Sequence, residues 1–180
     1  MDSTVGDTMN EQPITGVVVG YDGSESGVRA LDRAADEART RGTPLTVLHA
    51  WDVYVGAPIA VPAADLHAMA ERTLDKGVEH LRKAAPDLKV RAEGGRDAAG
   101  VHDDPVARSP PLGEGDGRGR RGGPREVLMD AADGAALLVV GSRGLGGFRG
   151  LLLGSVSHAL VHHAPCTVVV VHASESGAGD

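Results

Sequence analysis

The chain has 180 residues, of which 41% are hydrophobic and 24% are charged, so its composition is that of a globular protein. Four aromatic residues and a net charge of -7 argue against a base-stacking or polyanion-binding surface for nucleic acid. A single cysteine excludes an intramolecular disulfide and a multi-cysteine metal site. The sequence has no signal-peptide pattern and no apolar run of about 20 residues, so we expect a cytoplasmic protein without a membrane partner.

Short buried strands alternate with amphipathic helices in the first half of the chain. Residues 1–13 are polar, and we expect them to be flexible. The apolar run over 14–20 predicts a first strand, and the serine-rich turn after it can cap a helix. A second strand is predicted over 45–50, and a longer helix over about 65–85.

The same alternation returns in the second half. Pro124 opens a short helix, and 135–140 is predicted to be a buried strand. A glycine-rich loop then leads into a helix that begins near Ser155, and a final strand follows over 167–171. Residues 173–180 are predicted to be a loose tail. Strands that alternate with helices in this way predict an α/β fold: an open parallel sheet with helices on both faces.

The segment 94–123 interrupts this pattern. The 31 residues from 93 to 123 contain nine glycines, three prolines and five arginines, and their large aliphatic residues are too far apart to share one core face. We therefore predict one domain over 14–172 with a disordered insertion, or an out-of-frame segment, at 94–123. The third strand of the sheet is predicted to be degraded or replaced, with at most a stub over 89–93. The arginines alternate with acidic residues and lack aromatic neighbours, which favours a solvated linker over a nucleic-acid site.

The glycine-rich stretch after the fourth predicted strand is the candidate binding motif. Gly141 and Gly144 are separated by two residues, and nine further residues lead to Gly154 and Ser155. Glycine lets backbone N–H groups approach a phosphate closely, and a helix N-terminus favours an anion. Asp22, after the first strand, could hold a ribose hydroxyl or a phosphate-bound metal. The spacing matches neither a Walker A loop nor a dinucleotide fingerprint, and by itself it is also compatible with a flexible turn.

This spacing resembles the ATP-binding signature of the universal stress protein family. The first strand and its turn, VGYDGS over 19–24, are similar to the opening of that family, as is LHA over 48–50. The closing stretches LGSVS over 153–157 and APCTVVVV over 164–171 are similar as well. The resemblance covers 14–92 and 122–172, and the departure from it is the segment before the helix at Pro124.

The resemblance implies a five-stranded sheet in the order 3-2-1-4-5, with ATP, with or without Mg²⁺, bound between strands 1 and 4. It also implies a homodimer formed through the C-terminal edge strand. The residues that it brings to the nucleotide are Gly20 and Asp22 beside the ribose and phosphates, Ala50 and Val140 at the adenine, Gly141, Ser142, Arg143 and Gly144 around the phosphates, and Gly154, Ser155 and Val156 at the helix N-terminus.

The function predicted from the sequence is an ATP-binding regulatory protein of the stress response. Nucleotide occupancy would act as the switch, with at most slow hydrolysis. Two other functions stay open: an adenine-nucleotide-dependent hydrolase or ligase on the same scaffold, and an interaction module that binds no nucleotide. An enzyme would need a nucleophile, a base and an orienting group, and the sequence indicates no such set around Asp22.

Overall fold

Five strands and four helices alternate in the part of the chain that the computed structural model describes, residues 14–50, 63–95, 123–145 and 152–173. None of the helices in these ranges has the length and apolar character needed to cross a bilayer. Residues 1–13, most of the predicted insertion and nearly all of the predicted tail lie outside the described residues. In chain order the elements are β1 (Val17–Gly20), α1 (Glu25–Arg41), β2 (Leu45–Ala50), α2 (Ala63–Ala84), β3 (Val90–Gly95), α3 (Pro124–Ala132), β4 (Leu137–Gly141), α4 (Ser155–His163) and β5 (Val168–Val171).

The strands form one parallel sheet in the order β3-β2-β1-β4-β5, which confirms the predicted fold class and strand order. Successive residues of a strand point to opposite faces. On β1, Val17 and Val19 pack into the core layer that includes α1 and Leu81 of α2. Val18 packs into the opposite layer, with Leu128 of α3 and Leu160 of α4. Both faces of the sheet are therefore buried, which explains why β1 and β4 are apolar without a break and why even Thr46 and His49 of β2 are buried.

Helix α1 begins and ends at residues that the sequence indicates. The Ser24 hydroxyl accepts a hydrogen bond from the Gly27 N–H at 3.1 Å, which caps the first turn. At the other end Gly42 adopts the left-handed conformation with φ of 63°, and its N–H bonds to carbonyl groups of the last turn. The helix packs on β1 and β4, so its first turn lies where these strands end.

The third strand is longer and better paired than the sequence predicts. We expected a degraded or replaced strand with at most a stub over 89–93, yet β3 pairs with β2 along six residues, from Val90 opposite Leu45 to Gly95 opposite Ala50. An edge strand is held mainly by backbone hydrogen bonds to a single neighbour, so it needs little apolar side-chain area. Val90 is the large apolar residue of β3 that packs on the core. The strand directly follows α2 and includes Gly94 and Gly95, the first residues of the predicted insertion.

Candidate functional site

A cavity of about 470 Å³ lies at the carboxyl ends of β1 and β4. The chain leaves β1 toward β2 and leaves β4 toward β5, so these neighbours form the switch point of the sheet, where open α/β sheets bind ligands. Ten of the eleven residues predicted from the sequence line the cavity, and Ser142 does not. The described lining residues are Gly20, Tyr21, Asp22, Leu48, Ala50, Pro124, Leu128, Val140, Gly141, Arg143, Gly144, Gly154, Ser155, Val156 and Ser157.

One end of the cavity is apolar. Leu48 and Ala50 of β2 meet Val140 of β4 there, and Leu128 of α3 lies against them. A Cβ atom on Gly20 would lie 3.0 Å from Leu128 and 3.1 Å from Val140, so glycine lets α3 pack closely on the end of β1. Sequence reasoning missed Leu128, since only the folded sheet brings α3 to this edge.

Asp22 joins the loop after β1 to the loop after β4. Its Oδ1 accepts hydrogen bonds from the Ser24 backbone N–H at 3.0 Å and from the Ser24 hydroxyl at 2.6 Å. Its Oδ2 accepts one from the Leu145 N–H at 3.1 Å. A Cβ on Gly144 would lie 2.7 Å from Oδ2, which accounts for glycine at that position. Both carboxylate oxygens therefore organise the rim of the cavity.

The N-terminus of α1 is packed tightly against the end of β4. The Ser26 hydroxyl donates a hydrogen bond to the Arg143 carbonyl at 2.5 Å. A Cβ on Gly141 would lie 2.6 Å from Ser26 Oγ and 3.1 Å from the Gly27 nitrogen. Glycine at 141 is thus required by the contact between strand and helix, although the sequence motif alone suggested contact with a ligand.

The N-terminus of α4 has a different environment. Gly154 is its N-cap, with φ of -75° and ψ of 168°, and no side chain caps the first turn. Ser155, Val156 and Ser157 line the cavity, and N–H groups of a first helical turn have no carbonyl partner within the helix. A Cβ on Gly154 would meet its nearest protein atoms at 3.6 Å, an ordinary contact. The fold itself therefore does not demand glycine at 154.

Ser142 is the predicted site residue that the structure keeps away from the cavity wall. It is fully buried, and its N–H donates to the Val171 carbonyl at 2.7 Å. Its own carbonyl accepts hydrogen bonds from the Gly154 N–H at 2.7 Å and from the Ser157 hydroxyl at 2.8 Å. Ser142 thus fixes the start of α4 relative to β4 and β5, and it acts on the cavity through the position of Gly154.

Tyr21 is a cavity residue that sequence reasoning missed. A Cβ on Gly77 of α2 would lie 2.7 Å from its ring, so this glycine lets the ring pack directly on the helix. Burial, and to a lesser degree the charge of Asp22, raises the pKa of the Tyr21 phenol, which therefore stays protonated at neutral pH. Behind it, His49 Nδ1 lies 2.7 Å from the Tyr21 carbonyl oxygen, and since that oxygen can only accept, Nδ1 donates. An aromatic residue directly after the first strand was the signal available in the sequence.

The cavity combines an apolar end with an end rich in hydrogen-bond donors. Among the described lining residues, Arg143 and Asp22 carry charge, and Asp22 is engaged by the loops. Within the described ranges, no group of three or more His, Cys, Asp or Glu side chains is arranged to hold a metal ion. The arrangement suits a ligand with a flat apolar group at one end and an anionic group at the other.

The fold and this cavity define an α/β protein of the doubly wound type with a ligand site at its switch point. The chain belongs to the universal stress protein family, whose model matches residues 14–172.

Curated relatives support the same assignment. A universal stress protein from Mycolicibacterium smegmatis is 30% identical over 166 residues, which cover 92% of this chain and 50% of that protein. One from Mycobacterium tuberculosis is 35% identical over 158 residues, which cover 88% of this chain and 44% of that protein. The chain thus spans about half the length of the curated relatives it matches.

A solved structure of similar size also matches. It is a universal stress protein crystallised in complex with cAMP, with 28% identity and a TM-score of 0.56. The match covers 90% of this chain and 99% of that one.

Proposed function

We propose that this protein binds ATP in the cavity between β1 and β4, and that nucleotide occupancy acts as a regulatory switch in a stress response, with at most slow hydrolysis. The observation that carries the proposal is the uncapped N-terminus of α4, which faces the cavity behind a glycine that the fold does not require.

The first step concerns Gly154. Ser, Thr, Asp and Asn are favoured at an N-cap because their side chains bond to the first turn. Gly154 offers no such bond, and the space around it would accept a Cβ. A glycine there is explained if a ligand approaches the backbone closely and itself accepts hydrogen bonds from the first turn.

The second step concerns the charge of that ligand. The N–H groups of Ser155, Val156 and Ser157 carry the partial positive charge of the helix N-terminus. Arg143 adds a full positive charge to the same wall. A phosphate chain satisfies both groups. Where Mg²⁺ accompanies the phosphates, Asp22 is the carboxylate among the described lining residues that could join its shell.

The third step concerns the other end of the ligand. The wall of Leu48, Ala50, Leu128 and Val140 suits a flat ring such as adenine. The cavity of about 470 Å³ is within the size range of small-molecule sites. The cAMP complex of the 28% identical relative supports an adenine nucleotide as the ligand class.

Mass spectrometry of protein purified under native conditions tests the proposal, followed by ATP titration of the nucleotide-free protein. We expect co-purifying ATP or saturable binding with one nucleotide per chain. A protein that is folded and binds no nucleotide would contradict the proposal and favour an interaction module. Multiple-turnover phosphate release would favour the hydrolase instead. In that case Asp22, which is already bonded to both loops, would have to act in catalysis.

The proposal includes a homodimer formed through β5. This strand pairs only with β4 in the described sheet, so its outer edge is open to a second strand. The carbonyls of Thr167 and Val171 accept hydrogen bonds from the N–H groups of Leu138 and Ser142, on the β4 side. Successive residues of a strand direct their backbone groups to opposite edges, so the N–H and C=O of Val168 and Val170 point outward.

Light scattering on two proline variants tests this interface. Val170→Pro removes an outward N–H and is expected to give a folded monomer, whereas the matched Val169→Pro breaks the bond to β4 and is expected to destabilise the sheet. A monomeric wild type at micromolar concentration would exclude the dimer.

We also propose that the protein acts in the cytoplasm without a nucleic-acid or membrane partner, in keeping with its net charge of -7.

A further inference from the structure

Helix α4 carries a pair of histidines on its exposed face, beyond the turn that lines the cavity. His158 and His162 are one helical turn apart, and both are exposed. Their ring centres are 4.6 Å apart, with an angle of 51° between the ring planes. Within the described ranges neither imidazole takes part in a hydrogen bond or an ion pair that would compete for its nitrogens.

The distance between the rings is compatible with a shared metal ion. A divalent metal about 2.1 Å from one nitrogen of each imidazole lies about 3.2 Å from each ring centre, so two rings at roughly 90–110° around it have centres about 5 Å apart. The observed 4.6 Å is close to this distance, so rotation of the two side chains can turn one nitrogen of each ring toward a common ion while the helix stays in place. Imidazole is a preferred ligand of Zn²⁺, Ni²⁺ and Cu²⁺.

We infer that His158 and His162 form a two-histidine site for a divalent transition-metal ion of the Zn²⁺ class, with water in the remaining coordination positions. This inference is independent of the proposed nucleotide function, because neither histidine lines the cavity. The bound ion would link successive turns of α4, in the same helix whose first turn is uncapped at Gly154.

The neighbouring His163 provides a matched control. It is exposed on the same helix, but its ring centre is 6.2 Å from that of His162. It lies five positions after His158, which turns its side chain about 140° away from that residue around the helix. A metal held by the pair therefore does not require His163.

Isothermal titration with Zn²⁺ at pH 7.5 tests the site in the wild type and in His158→Ala, His162→Ala and His163→Ala. We expect His158→Ala and His162→Ala each to weaken Zn²⁺ binding by at least about tenfold, or to remove one equivalent of bound Zn²⁺. Loss of a residue that only supports a metal ligand lowers metal affinity by about 10–100-fold, and loss of the ligand itself should cost at least as much. His163→Ala is expected to bind like the wild type. The other histidines contribute the same background binding to all four proteins. The test therefore depends on the difference in Zn²⁺ affinity or stoichiometry between each variant and the wild type.

Equal Zn²⁺ affinity and stoichiometry in all four proteins, or a wild type that binds no Zn²⁺, would overturn the inference. An equal loss in all three variants would overturn it as well, since the pair would then have no advantage over His163. Circular dichroism of each variant shows whether α4 remains folded. If His158→Ala loses helix content, His158→Gln keeps a helix-compatible side chain without an imidazole and replaces it in the comparison.

Discussion

Two helix N-termini lie against the loop after β4, and they are built in opposite ways. At α1, the Ser24 hydroxyl caps the first turn, and Ser26 bonds to the loop after β4. At α4, Gly154 caps the helix without a side chain, and the first turn faces the cavity. The first terminus is closed by the protein itself, whereas the second leaves its N–H groups for another partner. The glycines around the two ends therefore serve different purposes, although they belong to one sequence motif.

The closed terminus should be the more sensitive to an added side chain. Gly141→Ala places a Cβ 2.6 Å from Ser26 Oγ and 3.0 Å from the Ser26 carbonyl carbon, so strand and helix must separate. We expect the free energy of unfolding to fall by about 2 kcal/mol or more. Urea denaturation measures this free energy. Gly154→Ala is the matched control, and its free energy of unfolding should stay within about 0.5 kcal/mol of the wild type. If both variants lose the same stability, the two termini do not differ as described.

Removal of the Asp22 carboxylate should have the next largest effect. Asp22→Ala abolishes two hydrogen bonds within the loop after β1 and one to the loop after β4, and the partly exposed site limits the cost to about 1–2 kcal/mol of unfolding free energy. ATP affinity should also fall, although less than in a variant that blocks the α4 terminus. Asp22→Asn keeps one acceptor oxygen and should lie between alanine and the wild type in thermal denaturation. An alanine variant as stable as the wild type would show that the loops do not depend on this residue.

The smallest effect on stability is expected where the open terminus is made to resemble the closed one. Gly154→Ser supplies an N-cap hydroxyl and should raise the free energy of unfolding by a few tenths of a kcal/mol. The same hydroxyl would cover an N–H group that we propose for phosphate, so ATP binding should weaken. Thermal denaturation and ATP titration of this variant measure the two changes. Gains in both stability and affinity would argue against a role for the uncapped turn in binding.

Much of the fold follows from local sequence signals. Ser24 and Gly42 mark the ends of α1, and apolar runs mark β1, β2, β4 and β5. These signals act over a few residues, so the sequence alone is enough to predict the elements. The sequence underpredicts β3 because Val90 is its large apolar residue on the core, whereas Arg91 and Ala92 are exposed and two glycines follow Glu93. Its stability comes from pairing with β2, a contact between distant parts of the chain.

The site is less accessible to sequence reasoning than the fold. The spacing of glycines located the loop, but it did not separate Gly141, which packs against Ser26, from Gly154, which has free space around it. That distinction depends on contacts between residues more than a hundred positions apart. For the same reason the motif did not reveal that Ser142 is buried.

Calorimetric titration with ATP tests the central claim most directly, in the wild type, Gly154→Val and His163→Ala. Valine at 154 fits the extended backbone but would separate the phosphates from the first turn of α4. Loss of about two charge-assisted hydrogen bonds at about 1.5–3 kcal/mol each predicts at least a hundredfold weaker binding. His163→Ala, at the far end of the same helix, should bind as tightly as the wild type. If Gly154→Val is folded by circular dichroism and binds ATP as tightly as the wild type, the open terminus of α4 is not the phosphate site.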